Sequence, residues 1–114
     1  MVIQTSEVPM YGTSIGLKPQ NATQLIARIN KGLPLRTFEQ LCKKLAVPEK
    51  ELCRILNIPP STLARRKKRG QLSFEESERI FRIARLYDKS VEVFKDEGLA
   101  RKWLKEPAWA LGDV

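Results

Sequence analysis

The sequence contains no histidine, which removes both the commonest general base and the commonest zinc ligand. Its carboxylates supply no alternative acid-base pair. Glu75, Glu76 and Glu78 cluster at the start of a predicted helix, where they complement the helix dipole, and no second carboxylate group converges on them by spacing. We therefore expect no catalytic residues, no enzyme activity, no bound metal and no cofactor.

Cysteine is scarce as well. Cys42 and Cys53 lie eleven residues apart without a CxxC spacing, and both fall among apolar residues of predicted helices. This pattern predicts buried free thiols rather than a disulfide or metal site, and hence a reducing compartment. No apolar run approaches the ~18 residues of a membrane span, and the first residues lack the layout of a signal peptide. We expect a cytoplasmic protein that does not contact membranes.

Strand-like alternation and internal repeats are both absent, so the predicted fold class is all-α. Helix signals are abundant. Capping boxes are predicted at residues 37–40 and 73–76. Asp96 is a further candidate cap, and either Asn21 or Thr23 can cap the first helix. Predicted helices cover about residues 22–31, 60–69, 74–94 and 97–105, with two further short helices around Leu41 and Leu52.

Three regions are predicted along the chain. Residues 1–20 have few periodic apolar positions, which favours an extended or flexible N-terminal arm. Residues 21–90 form a helical domain, and residues 91–114 form a C-terminal part. A chain of 114 residues has room for one domain with a small appendage.

Negative charge is rare in the first part of the chain. Residues 1–70 hold thirteen Lys and Arg against four Asp and Glu, whereas residues 71–114 hold eight against nine. The net charge of +8 favours binding to nucleic acid, an anionic membrane or an acidic protein, and its sign alone does not choose among them. The densest positive charge is the run of five cations at Arg65–Arg69.

The residues around these cations fit a helix-turn-helix at residues 48–69. Cys53 is a small residue within the first helix, Asn57 makes the turn, and Leu63 anchors the second helix in the core. Residues at the start of such a second helix reach base edges in the major groove. The candidate base contacts are Ser61, Thr62, Arg65 and Arg66. The candidate phosphate contacts are Lys67, Lys68 and Arg69, with Lys43, Lys44 or Lys50 adding charge from the first motif helix.

Two other interpretations stay open from the residues alone. The five cations could be a solvated face or a nuclear localisation signal. The chain could also be a protein-interaction module, because Trp103 and Trp109 lie beside a proline break and tryptophan is a frequent interface anchor. For Trp103 the sequence favours an ordinary core position over an interface.

Four motifs resemble those of the Xre-type antitoxins of bacterial RES-Xre toxin-antitoxin pairs, the Xre/MbcA/ParS group. They are GLP at Gly32–Pro34, STLARRK at Ser61–Lys67, LSFEESER at Leu72–Arg79, and the ending built from Ala100, Trp103, Leu104, Pro107, Ala110 and Leu111. Their order and intervals fit over roughly residues 22–112.

This resemblance implies a homodimeric cytoplasmic antitoxin of the type II class. Its Xre-like helix-turn-helix would bind operator DNA and repress its own operon. Its C-terminal domain would bind a RES-domain toxin that consumes NAD, and the candidate toxin contacts are Trp103, Trp109 and Leu111. Family members usually continue beyond the segment that ends at Gly112, so we expect a partial toxin-binding domain.

Overall fold

The computed structural model describes residues 13–17 and 21–105. Within these ranges the chain forms a single turn of 3-10 helix and six α-helices without a β-strand, which confirms the all-α class. The elements are η1 (Thr13–Ile15), α1 (Ala22–Lys31), α2 (Leu35–Leu45), α3 (Glu49–Leu56), α4 (Pro60–Arg69), α5 (Phe74–Phe94) and α6 (Glu97–Trp103). No helix in this part of the chain is long and apolar enough to cross a membrane.

Side-chain caps fix three of the helix starts. Asn21 accepts a hydrogen bond from the Gln24 amide at 2.8 Å, and Asp96 accepts one from the Leu99 amide at 2.9 Å. Ser73 precedes α5 and forms the predicted capping box with Glu76. The Ser73 hydroxyl accepts a hydrogen bond from the Glu76 amide, and the Glu76 carboxylate accepts one from the Ser73 amide. These signals are local in sequence, so they predicted the helix starts correctly.

The capping box predicted at Thr37 does not form. Instead, α2 begins three residues earlier, with Pro34 rather than Thr37 as its N-cap, and Thr37 lies inside the helix at 1% exposure. Its hydroxyl donates a hydrogen bond back to the Pro34 carbonyl at 2.8 Å. Pro34, which precedes the first residue of α2, also makes a tertiary contact that is described below.

The long helix α5 is the centre of the fold, because it contacts η1, α1, α2, α3 and α6. Phe38, Leu41 and Leu45 of α2 are completely buried, as are Leu52 of α3 and Ile80 of α5. Burial of such a side chain stabilises a fold by about 1.5–3 kcal/mol relative to exposure. Ala100 and Leu104 join the same core, and the expected boundary at residue 90 falls inside the continuous helix α5.

Residues 13–17 differ from the expected flexible arm. They form η1 and the following turn, and pack on α2 and α5 with Ile15 fully buried and Leu17 nearly so. Two apolar side chains are too few to give a periodic signal, and their binding site lies on helices further along the chain. The expectation of an extended or flexible segment is therefore wrong for these five residues.

Two interhelical connections pair with each other across the fold. The Leu35 amide donates to the Gly70 carbonyl at 3.1 Å, and the Leu72 amide donates to the Leu33 carbonyl at 2.9 Å. Pro34 and Gln71 form the antiparallel bridge between them. This short pairing, which we call the linker ladder (residues 33–35 and 70–72), joins the α1–α2 connection to the end of α4.

Both cysteines are free and buried, as predicted. Burial, with a further contribution from Glu49, raises the pKa of Cys42 to about 12, and burial also raises the pKa of Cys53. Because the thiolate is the reactive form, we expect a thiol reagent at about pH 8 to label neither cysteine in the folded chain and both in denaturant. Rapid labelling of either thiol without denaturant would contradict this packing.

Candidate nucleic-acid interface

The corner between α3 and α4 is held by backbone and side-chain hydrogen bonds. Asn57 adopts the left-handed conformation at φ 58° that the sequence predicted, and the Ile58 amide donates to the Cys53 carbonyl at 2.9 Å. Arg79 of α5 donates to the Leu56 carbonyl at 3.1 Å, which secures the end of α3. Pro59 is extended and Pro60 occupies the first turn of α4, where its missing amide hydrogen costs nothing.

Leu63 points into the core at 6% exposure and so fixes which face of α4 meets solvent. Residues on the opposite face are exposed. They are Ser61, Ala64, Arg65, Lys68 and Arg69. Thr62 lies at the edge of this face, where its hydroxyl accepts a hydrogen bond from Arg65 Nη2 at 3.2 Å. Lys68 and Arg69 form no ion pair with the residues that the structure describes, so their charge is available to a partner.

Arg66 lies on the inner side of α4 and binds Glu76 of α5. Its Nε donates to Glu76 Oε1 at 2.8 Å and its Nη2 to Oε2 at 3.1 Å. The two side chains are only 18% and 8% exposed. This bidentate contact occupies the planar donor fork that a guanine contact would need. The prediction that Arg66 contacts a base therefore does not fit its position.

The carboxylate of Glu76 is held ionised by its neighbours. Burial by itself raises the pKa of Glu76, but hydrogen bonds from Arg66 and from the Ser73 amide outweigh burial and leave the pKa below its ordinary value. The same contact raises the pKa of Arg66. Since Ser73 and Glu76 also form the capping box of α5, one carboxylate joins the end of α4 to the start of α5.

Lys67 extends towards α3 rather than along the exposed face. Its ammonium lies 2.8 Å from Glu49 Oε1, and this hydrogen bond raises the pKa of Lys67. Both side chains are partly exposed. The contact ties α4 to the first helix of the motif, and it leaves Lys67 less free to contact phosphate than the two cations that follow it.

The supplementary cations were all expected on the first motif helix, but Lys50 lies on α3 whereas Lys43 and Lys44 lie on α2. Lys43 and Lys50 are exposed, whereas Lys44 is half-buried and its carbonyl accepts a hydrogen bond from Arg101 at 3.3 Å. We therefore retain Lys43 and Lys50 as candidate phosphate contacts.

The family model of the antitoxin Xre-like helix-turn-helix domain matches residues 24–85, which include α3 and α4. The chain belongs to this antitoxin family. Its helix-turn-helix is thus of the Xre-like type, as the sequence motifs predicted. The two helices of the motif, α3 and α4, extend from Glu49 to Arg69.

Two curated relatives are similar to this Xre-like chain. It is 34% identical over 100 residues to Antitoxin Xre of Yersinia enterocolitica, a match that covers 86% of this chain and 68% of the relative. It is 30% identical over 108 residues to Antitoxin Xre of Photorhabdus laumondii, with 93% and 72% covered.

A second exposed surface of the Xre-like chain lies between α5 and α6. A groove of about 320 Å³ is lined mainly by apolar side chains, and it includes Val93, Phe94 and Trp103. The Phe94 and Trp103 rings contact each other with centroids 6.2 Å apart. Trp103 is 44% exposed, so it is not an ordinary core residue. The other candidate toxin contacts, Trp109 and Leu111, lie outside the described residues.

Proposed function

We propose that this chain is the antitoxin of a type II toxin-antitoxin pair that binds operator DNA through α4 and represses its own operon. The observation that carries this proposal is the solvent-exposed face of α4, where Ser61, Arg65, Lys68 and Arg69 project away from the core. Family membership supports it independently. Residues 21–90 would form the DNA-binding domain, in a reducing, cytoplasmic compartment that suits the two free thiols.

The two kinds of side chain on α4 would perform different tasks. Arg65 can present its planar fork to O6 and N7 of a guanine, and Ser61 at the start of the helix can donate to or accept from a base edge. Lys68 and Arg69, near the other end, suit phosphate oxygens. A homodimer would present two copies of α4 about one DNA turn apart, ~34 Å, so the operator is expected to be a near palindrome.

The basic test is a binding titration at about physiological salt. The full chain is titrated against the DNA immediately upstream of its own reading frame and against a scrambled duplex. A specific repressor should prefer its own DNA by ~1,000-fold or more. Equal and weak binding to both duplexes would contradict the proposal, and would favour the alternative that α4 is only a solvated or non-specific face.

Substitution of Arg65 tests the base contact directly. We expect Arg65→Ala to reduce the preference for operator over scrambled DNA by about 1–3 kcal/mol, or roughly 5- to 150-fold, because a bidentate base contact is lost. Arg85→Ala is the matched control, since Arg85 is also exposed but lies ~16 Å along α5 from its start. A preference for operator over scrambled DNA that is the same in Arg65→Ala as in the wild type would exclude Arg65 as a base contact.

The toxin half of the proposal concerns the α5–α6 groove. We propose that the C-terminal part, residues 91–114, binds a RES-domain toxin that consumes NAD, with Trp103, Trp109 and Leu111 among its contacts. The partly exposed Phe94 and Trp103 rings support a protein partner at this groove, because exposed aromatic side chains are frequent interface anchors.

Co-purification with the toxin encoded beside this chain tests that contact. We expect Trp103→Ala to weaken the complex by about 2 kcal/mol or more, as for an interface hot spot. Phe74→Ala is a suitable control, because Phe74 is equally exposed at the opposite end of α5. If the two variants bind the toxin equally well, Trp103 is not an anchor.

A further inference from the structure

The linker ladder joins two stretches of the chain that contain no Asp or Glu. These stretches are residues 8–38 and residues 52–74. In sequence they are separated by a segment that holds Glu39, Glu49 and Glu51. The pairing of residues 33–35 with 70–72 places the end of the first stretch beside the end of α4. Folding therefore gathers the acid-free parts of the chain on neighbouring surfaces.

Three cations surround a cleft on the first of these surfaces. The side chains of Arg28, Lys31 and Arg36 are exposed and line a cleft of about 260 Å³ between the end of α1 and the start of α2. No Asp or Glu lines the cleft in the described part of the chain. Its apolar floor residues, which include Leu17 and Leu33, are buried. The accessible chemistry of this surface, which we call the basic rim (Arg28, Lys31 and Arg36), is therefore positive charge.

The basic rim is close to the exposed end of α4. The Leu35 amide donates to the Gly70 carbonyl at 3.1 Å, and Arg36 and Arg69 are the adjacent residues along the chain. Given the 3.8 Å spacing of consecutive Cα atoms, the backbones of Arg36 and Arg69 lie within about 15 Å of each other. Gln71, which follows Gly70, donates to the Lys31 carbonyl at 2.9 Å. Both ends of the rim are thus tied to the α4–α5 connection.

We propose that the basic rim binds the phosphate backbone of DNA next to the segment that α4 reads. This inference rests on the proposed function and extends it to a surface that the helix-turn-helix does not include. DNA suits the rim because its phosphates continue as a line of charge beyond any one groove contact. The three rim cations form no ion pair with the described residues, so their charges are available. Such contacts would add affinity without reading sequence.

The test compares two triple variants of equal net charge. The first is Arg28→Ala/Lys31→Ala/Arg36→Ala, and the control is Arg82→Ala/Arg85→Ala/Lys89→Ala on the exposed side of α5. The dissociation constants for operator and scrambled duplexes are measured over a series of salt concentrations. Circular dichroism confirms that each variant is folded, and Arg36→Ala alone provides a milder substitution.

Each phosphate contact contributes about 0.9 to the slope of log K against log salt. We expect the rim variant to reduce the magnitude of this slope by about 2–3 on both duplexes and to keep the wild-type preference for operator DNA. Arg36→Ala alone should reduce it by about 1. The control should reduce it by less than 1, because exposed charges beyond a Debye length are largely screened.

A rim variant with the slope of the control overturns the proposal. A rim variant that loses toxin binding while it keeps the wild-type slope overturns it too, and assigns the rim to an acidic protein surface. The slope on scrambled DNA is measurable even if the chain shows no operator preference. Failure of the repressor hypothesis can therefore be distinguished from failure of the rim contact.

Discussion

Replacement of Gly32 by alanine is expected to lower the free energy of unfolding by about 2–6 kcal/mol. Gly32 ends α1 with φ +102°, and an added Cβ would collide with the carbonyl oxygen of Leu72. A strained backbone conformation costs ~1–3 kcal/mol, and a forced shift of packed atoms costs a further ~1–3 kcal/mol. Because Leu72 is part of the linker ladder, the collision would also disturb the connection that leaves α4.

Gly70→Ala is the matched control for this substitution. Gly70 also has a positive φ, +80°, but no heavy atom lies within 4 Å of the position that its Cβ would occupy. It should therefore lose only the ~1–2 kcal/mol that a left-handed conformation costs an L-residue. Urea unfolding followed by circular dichroism measures both variants. Equal losses for Gly32→Ala and Gly70→Ala would mean that the close approach to Leu72 does not constrain the fold.

Gly32 also explains a motif whose physical reason the sequence alone did not reveal. The GLP segment was one of the four motifs that indicated the family. In the structure Gly32 lets the chain approach Leu72 closely, Leu33 is buried, and Pro34 bridges to Gln71. The partners of all three residues lie nearly forty positions away. A motif of this kind identifies a family, but its contacts appear only once the chain is folded.

The difference between local and non-local contacts also separates the correct predictions from the wrong ones. The caps at Asn21, Ser73 and Asp96 involve residues three positions apart, so the sequence predicted these helix starts. The turn at Asn57 and the inward position of Leu63 follow equally from local spacing.

The contacts that the sequence did not predict have non-local causes. The cationic run predicts DNA contacts for Arg66 and Lys67, but in the structure each binds an acidic partner 10 or 18 residues away on another helix. Helical spacing shows only partners three or four residues apart, so neither ion pair could be anticipated. The acid-free stretches of sequence do not reveal these pairs either, since Arg66 and Lys67 both lie in the second stretch.

The Arg66–Glu76 contact gives the second large expected effect. We expect Glu76→Ala to lower the free energy of unfolding by about 2–4 kcal/mol, because Arg66 loses its charge-assisted hydrogen bonds and α5 loses part of its cap. The substitution also removes the capping-box acceptor of the Ser73 amide. Glu75→Ala, at the neighbouring exposed position, should change stability by no more than about 0.5 kcal/mol. Equal unfolding midpoints in urea for the two variants would contradict the assignment.

The pH dependence of this effect follows from the pKa shift of Glu76. Its pKa in the folded chain is lower than the ordinary value of 4.5, so the unfolded state binds the proton more readily. The stabilisation is therefore fully present above about pH 4.5 and is lost as the pH falls through the folded pKa. The difference in stability between wild type and Glu76→Ala should be constant near neutral pH and should shrink in acid.

Arg66→Met connects this contact to function, because it removes the charge and keeps an apolar stem. Combined with Glu76→Ala it completes a double-mutant cycle, whose interaction energy should be about 1–3 kcal/mol if the two side chains act as a pair. At a temperature where Arg66→Met is folded, we expect it to retain the full operator preference that Arg65→Ala reduces. The two adjacent arginines would then have separate roles. Arg66 turns inward and holds α4 against α5, and Arg65 turns outward from the helix held in this way and contacts a base.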